Sequence, residues 1–554
     1  MATPQTIDGL MSDKECWNSI NWHKAFKVVN RIQTRIVKAV KAGDKERVRA
    51  LQRLLSRTLA AKLLAVRRVT SNRGKKTAGV DNIKLNTPES KWQAAQQLNR
   101  KDYQPQPNKR IYIPKKNGKK RPLGIPIMAD RSEQALERLG LDPVSECTAD
   151  SHSYGFRNKR SAQDAIAGCY NALRLKGSPV WILEGDIKGC FDHISHQWMI
   201  DNIPTDKKKL RLWLKAGYME KGTFHATTEG TPQGGIISPT LANMVLDGLE
   251  KVLKQKFNRC HKVHFIRYAD DFIITGISIE FLENEVKPLV INFLKERGLQ
   301  LSAEKTKITH INDGFDFLGF NVRKYNGKLL IKPAQSGIVS VKGKIREVIK
   351  SNRTVKTEHL IKKLNPIIRG WGNYYRHAVS KRVFSYLDHV IWQRTWRWAK
   401  RRHPRKPGKW IKPKYFQKIG NRNWVFKEKD GKAELAQLSG IPIRRHVKIK
   451  AEANPYDPIW NDYFEKRSKR EWLTKPQSRR SRLWTRQKGV CPLCQIALEG
   501  DEQWNIHHII PEKDGGKDVL NNLLLLHATC HRQFHSQTST TDLLPGASRR
   551  LIKA

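Results

Sequence analysis

The stretch VHFIRYADDFIIT (263–275) decides the fold. Two short apolar runs, 263–267 and 272–275, flank a polar turn, which is the pattern of a β-hairpin. The turn carries Asp270 and Asp271 side by side. Adjacent acids at a hairpin tip repel each other unless a cation neutralises them. Upstream, WILEGDIKGCFD (181–192) reads as an apolar strand ending at Asp186. Mg²⁺ takes oxygen ligands from one or two carboxylates and from substrate phosphates. Three carboxylates on two neighbouring strands suit two such ions, the arrangement that stabilises both oxygens of an in-line phosphoryl displacement.

YADD alone is a weak signal, but other segments surround it. GTPQGGIISP (230–239) lies between the acidic sites, and its glycines allow close backbone approach to a ligand. IPKKNGKKRPLGIP (113–126) reads as a basic hairpin that would set Lys115 and Arg121 on a triphosphate, with Lys116 able to stand for Lys115. HSYGFR (152–157), GLQLSAEKTK (298–307) and FLGF (317–320) complete the series. In this order the segments resemble the polymerase blocks of a reverse transcriptase. The basic N-terminal extension, RGWGNYY (369–375) and ANPYDP (453–458) resemble the group II intron-encoded proteins, which are reverse transcriptase-maturases.

That resemblance implies a right-hand polymerase with fingers and palm, followed by a helical thumb or maturase (X) domain. It assigns Asp186, Asp270 and Asp271, with the backbone of Ile187, to two Mg²⁺ ions. Phe191 stands at the aromatic gate against a ribose 2′-OH, and Gln233 at a contact to the incoming nucleotide. Lys115 and Arg121 match triphosphate contacts, and Lys305 or Lys307 matches a proton donor to pyrophosphate. Asp192 is taken as structural.

Eight cysteines do not make a disulfide framework; five are scattered and three crowd into residues 491–530. Cys491 and Cys494 form a CxxC, and His527 and Cys530 repeat the spacing, giving four soft ligands for a closed structural Zn²⁺. The neighbouring His507, His508, Asn522, His531 and His535 resemble an HNH nuclease of ββα-metal fold. On that pattern His508 is the general base and Asn522 holds the turn that orients it. His507, His531 and His535 bind one catalytic divalent ion, expected to be Mg²⁺. His531 and His535 lie four apart, on one face of a helix. His535 is the alternative to His527 as fourth zinc ligand.

The chain has 554 residues, enough for roughly four domains. Lys+Arg number 105 against 51 Asp+Glu, a net +54 that points to a polyanionic partner, nucleic acid first. Residues 23–69 read as helix with a break at 42–44, on a first apolar series of Phe26, Val29, Ile32, Ile36 and Val40 and a second of Leu51, Leu54, Leu55, Leu59, Leu63 and Leu64; residues 21–70 hold 14 Lys/Arg and 2 Asp/Glu. Residues 341–410 read as helix, with 20 Lys/Arg against 3 Asp/Glu and five tryptophans, about half of them expected in the core. Residues 402–414 read as a Pro-rich basic linker. No apolar stretch of about 18 residues is present, and the first residues lack the pattern of a secretory signal. A cytoplasmic, nucleoid-associated bacterial protein is therefore expected.

The expected class is multidomain α+β. Its parts are a basic helical extension (1–75), fingers and palm (76–335), thumb (336–420), a DNA-binding or linker region (421–476) and a zinc-containing HNH module (477–554). The resemblance implies a protein that binds its intron RNA to assist splicing, nicks target DNA and copies intron RNA from dNTPs during retrohoming. A splicing-only maturase and another type of bacterial reverse transcriptase are the alternatives. Synthesis on poly(rA)/oligo(dT) separates the first from a polymerase. The charge makes one prediction on its own. Affinity for structured RNA should fall linearly in log K against log[salt], at about −0.7 to −0.9 per phosphate contact. A flat salt titration would contradict it.

Overall fold

The computed structural model describes residues 11–537, apart from 115–117, 119, 429, 430, 432, 474–477 and 499–501. Lys115 and Lys116 therefore lie outside the described residues. Strands are numbered in chain order and helices are given by their ranges.

The N-terminal helices Trp22–Lys41, Lys45–Arg57 and Leu59–Ser71 pack through Val29, Ile32, Ile36, Leu51, Leu55 and Val66. Gly43 turns the chain at φ 73°, and the Asp44 carboxylate then caps the next helix by accepting from Arg47 N–H at 2.9 Å. The second apolar series contains a further break at Thr58, which is extended and caps the third helix by accepting from Ala61 N–H. Phe26, counted in the apolar series, is 43% exposed, because Trp22, Ala25 and Val29 set the buried stripe one residue away from it.

The central sheet has the order β6-β7-β3-β8, from β3 Trp181–Asp186, β6 Phe265–Tyr268, β7 Asp271–Gly276 and β8 Lys307–His310. Its pairs are all antiparallel. Both faces are covered. Ile182 and Ile273 enter one core, while Leu183 and Ile274 enter the core on the other side. This is why β3 and β7 read as continuous apolar runs rather than alternating ones. A second sheet, β2-β1-β4-β5, is built from β1 Asn108–Pro114, β2 Lys120–Ile125, β4 Tyr218–Glu220 and β5 Thr223–His225. It is the expected basic hairpin, with Ile113 opposite Arg121, extended by two short strands. Gly124 N–H donates to Gln233 O at 3.1 Å. Gly234 sits at φ 139°, where a Cβ would stand 2.4 Å from Gly124 O. Gly230, where a Cβ would stand 2.5 Å from Asp192 O, and Gly234 thus let the 230–235 loop pass backbone to backbone between β2 and the turn after β3.

Strands β9 Phe315–Phe317, β10 Phe320–Tyr325 and β11 Lys328–Pro333 lead into helices Gln335–Ser351, Thr357–Tyr375 and Lys381–Arg402. Two of the sequence motifs meet there. Tyr374 OH donates to Leu318 O at 2.8 Å, and Tyr375 OH donates to Gly319 O at 3.0 Å, so RGWGNYY clamps the FLGF turn. Of the five tryptophans, Trp398 is buried, Trp371, Trp392 and Trp396 are half-buried against the same core, and Trp410 is exposed. The linker expected at 402–414 is in part a helix, Gly408–Tyr415. Burial of Ile411 and Tyr415, the latter edge-on to Trp398, outweighs the proline content of the segment. ANPYDP is a junction: Asp457 pairs with Lys41 at 2.5 Å, Asn454 reaches Cys147, and Tyr456 reaches Asp142. β12 Phe416–Ile419 pairs with β13 Arg422–Phe426. In the C-terminal module, β14 Trp504–His508 pairs antiparallel with β15 Leu523–His527 before helix Ala528–Gln537.

HSYGFR anchors the acidic hairpin from beside it. Tyr154 N–H donates to Arg267 O at 2.9 Å, and Arg267 N–H donates to His152 O at 3.0 Å. The Arg267 side chain is buried and pairs with Asp247. Gly155 abuts the turn so closely that a Cβ would stand 2.3 Å from Ala269 N. Gly155→Ala should therefore displace the hairpin and destabilise the polymerase body by about 1–3 kcal/mol, with loss of cDNA synthesis. Gly168→Ala, whose added methyl meets nothing nearer than 3.5 Å, should be tolerated. Thermal melting of both variants beside a primer-extension assay checks the pair; equal behaviour would contradict this packing.

Candidate active sites

The β3–β7 register sets Asp186 directly opposite Asp271. The two-residue turn after β6 places Asp270 beside them, with Ala269 held in the left-handed region at φ 58°. Such a conformation costs a non-glycine residue on the order of 1–3 kcal/mol and is stable only when its surroundings enforce it. Here Gly155 and the buried Arg267, which donates to Ala269 O at 3.3 Å, enforce it. Burial pushes the Asp271 carboxyl up to about 6, and the neighbouring Asp270 and Asp186 push it the same way. Burial also raises Asp270. The positive charge facing the trio is Lys305, whose Nζ donates to Asp186 Oδ2 at 2.8 Å. A cluster of hard carboxylate oxygens with elevated proton affinity is the donor chemistry that fits a divalent cation.

Asp186, Asp270 and Lys305 line a cavity of about 530 Å³ that also includes Arg121, Ile187, Phe191 and Gln233, and Asp271 stands opposite Asp186 on the neighbouring strand. All the polymerase residues singled out in the sequence and described in the structure therefore converge, except Lys307. That lysine pairs with Glu184 at 3.3 Å on the sheet, leaving Lys305 at the cavity. Ile187 bridges to Leu301, and Ser302 N–H donates to Asp186 O at 2.8 Å, so the 298–307 segment fixes the end of β3. Gln233 Nε2 approaches Asp192 Oδ1 at 3.4 Å, giving Asp192 a role as anchor for Gln233. The sequence reading missed Phe156. Its exposed ring meets Phe191 edge-on with centroids 6.3 Å apart, and it too lines the cavity. Its signal was its place in HSYGFR, beside the glycine that touches the turn.

The described residues of the C-terminal module hold three clusters of potential ligands, the third being His508 with Glu512 and Asp518. The ligand atoms of Cys491, Cys494, His527 and Cys530, all buried, lie within 4.8 Å of one another. His527 Nδ1 is 3.4 Å from Cys494 Sγ, and its Nε2 donates to Ala497 O at 3.2 Å, which orients the ring as a ligand. Three sulfurs and an imidazole at these distances fit a soft tetrahedral cation. His507, His531 and His535 form the second cluster, also within 4.8 Å. His535 thus stands with the other histidines and His527 with the cysteines. Burial drives His507 down to about 4, with His531 and His535 acting in the same direction, and burial lowers His531. His507 Nε2 is a buried nitrogen with no hydrogen-bond partner. Neutral imidazoles around an unpartnered buried nitrogen fit a divalent ion.

His508 Nε2 lies 3.3 Å from Asp518 Oδ1 and 3.4 Å from Glu512 Oε1, two partners the sequence reading did not name. Asn522 acts on His508 through the backbone. Its side chain accepts from Ile510 N–H at 2.8 Å and donates to Ile510 O at 2.9 Å and Lys517 O at 3.0 Å. Gly516 completes the loop, since a Cβ there would stand 1.9 Å from Ile510 O.

A third feature is a basic cleft of about 1030 Å³ between helices Gln335–Ser351 and Lys381–Arg402. Arg346, Lys350, Arg394, Arg397 and Arg401 line it around Trp398. No helix among the described residues is long and apolar enough to cross a membrane.

Four family models match, in the order of the folded units. They are the N-terminal domain of reverse transcriptase over residues 17–98 and reverse transcriptase (RNA-dependent DNA polymerase) over 113–322. The others are the group II intron maturase-specific domain over 338–416 and HNH endonuclease over 491–537. Protein YkfC of Escherichia coli (strain K12) is 32% identical over 338 residues, 53% of this chain and 87% of that protein. The group II intron-encoded protein LtrA of Lactococcus lactis subsp. cremoris is 30% identical over 428 residues, 59% of this chain and 70% of that one. Among solved structures, telomerase from Candida albicans with a fragment of telomeric RNA is 12% identical with a TM-score of 0.33. That comparison covers 56% of this chain and 64% of the telomerase, just under two thirds of its length.

Proposed function

Because the chain belongs to the group II intron-encoded proteins, as a reverse transcriptase-maturase with an HNH endonuclease domain, we propose the following division of its chemistry. The chain is multifunctional: an RNA-directed DNA polymerase, a maturase and an endonuclease. The observation that carries the reading is the meeting of Asp186, Asp270 and Asp271 at one strand end, beside a cavity that Asp186, Asp270, Arg121 and Lys305 line.

Divalent cations held by the three carboxylates and the Ile187 carbonyl, with Mg²⁺ the proposed ion, would offset charge on the attacking 3′-oxygen and on the departing pyrophosphate. Arg121 binds the triphosphate of the incoming dNTP, Gln233 touches the nucleotide, and Phe191 with Phe156 walls off the ribose 2′ position. Lys305 is placed to give its proton to pyrophosphate as the P–O bond breaks. Residues 1–75 and the thumb, 336–420, hold intron RNA, the thumb with the basic cleft around Trp398. Residues 421–476 serve as DNA-binding region and connection.

In the HNH module, 477–554, we assign Cys491, Cys494, His527 and Cys530 to structural Zn²⁺. His507, His531 and His535 hold one divalent ion, proposed as Mg²⁺, that would offset charge on the leaving 3′-oxygen. Asp518 and Glu512 hold His508 by Nε2, so a water proton is taken at Nδ1. The water oxygen attacks phosphorus, the P–O3′ bond breaks, the departing 3′-oxygen takes a proton from solvent water, and the strand is left with a 3′-OH facing a 5′-phosphate. That hydroxyl primes copying of the intron RNA into target DNA.

Two variants test this directly. Asp270→Ala should abolish cDNA synthesis on poly(rA)/oligo(dT) while RNA binding by filter retention stays within about twofold; retained synthesis overturns the polymerase assignment. His508→Ala should keep its zinc, by elemental analysis, and keep extending a supplied primer, yet lose nicking of the second DNA strand. Loss of zinc, or nicking at the native rate, contradicts the split between structural and catalytic histidines.

A further inference from the structure

Arg67, on helix Leu59–Ser71, is only 5% exposed. A buried guanidinium is stable only where anionic groups and hydrogen bonds replace water. Its partners come from the far end of the chain. Its Nη2 donates to Glu502 Oε2 at 3.0 Å and points at Cys530 Sγ at 3.9 Å. The guanidinium also lies over the Trp22 ring, 4.8 Å from the centroid. Trp22 in turn donates from Nε1 to Gln533 Oε1 at 2.9 Å, and Gln533 Nε2 donates back to Ile20 O at 3.0 Å. Beneath these polar contacts the two regions share one apolar core. It joins Val66 and Val69 to Leu524, Leu526 and Cys530.

Two anionic neighbours, the Glu502 carboxylate and the Cys₃His cluster, account for an arginine buried there. Three thiolates and a neutral imidazole around a divalent cation leave one net negative charge. Buried in an apolar core, that charge needs a counter-charge. Among the described residues, Arg67 is the cation hydrogen-bonded to a ligand sulfur.

We propose that Arg67 is a positioning residue of the cysteine-histidine site, contributed across a domain interface, so that metal loading and docking of the nuclease module on the N-terminal helices are one coupled equilibrium. This rests on the assignment of that cluster to zinc. The nuclease is then held by a metal-dependent latch against the extension that binds RNA, rather than swinging on its connection. Losing the ion frees both the module and the face of Leu59–Ser71 that it covers.

The test uses the full chain. Zinc is competed away by a chromophoric chelator from the native protein, Arg67→Lys and Arg67→Met; methionine keeps an apolar stem of similar length. The apparent zinc affinity should fall roughly 10- to 100-fold in Arg67→Met and less in Arg67→Lys. Separately, hydrogen exchange of the native chain is followed before and after chelation. Removing zinc should raise exchange at residues 17–22 and 59–71, with 381–402 unchanged. An unaltered competition curve for Arg67→Met, or unaltered protection at 59–71 after chelation, overturns the coupling. Absence of zinc from the native protein would instead overturn the cluster assignment on which the proposal rests.

Discussion

Three carboxylates brought within one strand end, inside a chain of net charge +54, set the terms for the rest of the structure. Burial penalises each charge and like charges repel, so the Asp271 carboxyl is held above its usual range by burial first and by Asp270 and Asp186 second. The backbone must therefore hold the acids together against their own electrostatics. It does so with a sheet covered on both faces, a left-handed Ala269 and the bare Cα of Gly155 pressed against the turn. Arg267, buried with Asp247, ties the hairpin to the helix behind it. Positive charge arrives from other segments: Arg121 from the basic hairpin and Lys305 from the loop before β8. The same opposition of local negative charge to a basic body suits a polymerase, which must draw in a polyanion and still concentrate cations at one point.

The C-terminal module solves a related problem with different ligands. Sulfur donors and a group of imidazoles are gathered into separate clusters within one ββα unit. His527 at the end of β15 belongs to the cysteine cluster, while His531 and His535 on the next helix belong to the other. A single short segment thereby supplies both clusters, and the fold around one is the scaffold for the other. Its packing against the N-terminal helices extends that economy to the whole chain, since the apolar face of Leu59–Ser71 serves two modules at once.

Much of this is legible in the sequence because the decisive residues are local. Asp186 closes an apolar run, Asp270 and Asp271 sit between two others, and Cys491, Cys494, His527 and Cys530 announce themselves by spacing. The hairpins and the helices of 341–402 follow from such patterns, while the thumb and the grouping of His507 with His531 and His535 follow from the family resemblance. What escapes is whatever depends on tertiary partners. Residues 402–414 look like a linker until Ile411 and Tyr415 find Trp398. Phe26 fits the apolar series by type but misses its stripe by one residue. Arg67 looks like one more phosphate-facing cation among 14 Lys/Arg in residues 21–70, and only its burial beside Cys530 distinguishes it. Asp518 and Glu512 lie in a polar loop with no pattern that points back to His508.

On the proposed function, the two catalytic centres act in sequence on one DNA end. The direct measurement incubates the protein, bound to its intron RNA, with DNA spanning the joined flanks of that intron, in the presence of labelled dNTPs. Products are then resolved strand by strand on a denaturing gel. Intron cDNA should be covalently continuous with the nicked strand, beginning at its new 3′-OH. Labelled cDNA that never joins the nicked strand, or a nick that is never extended, would contradict it.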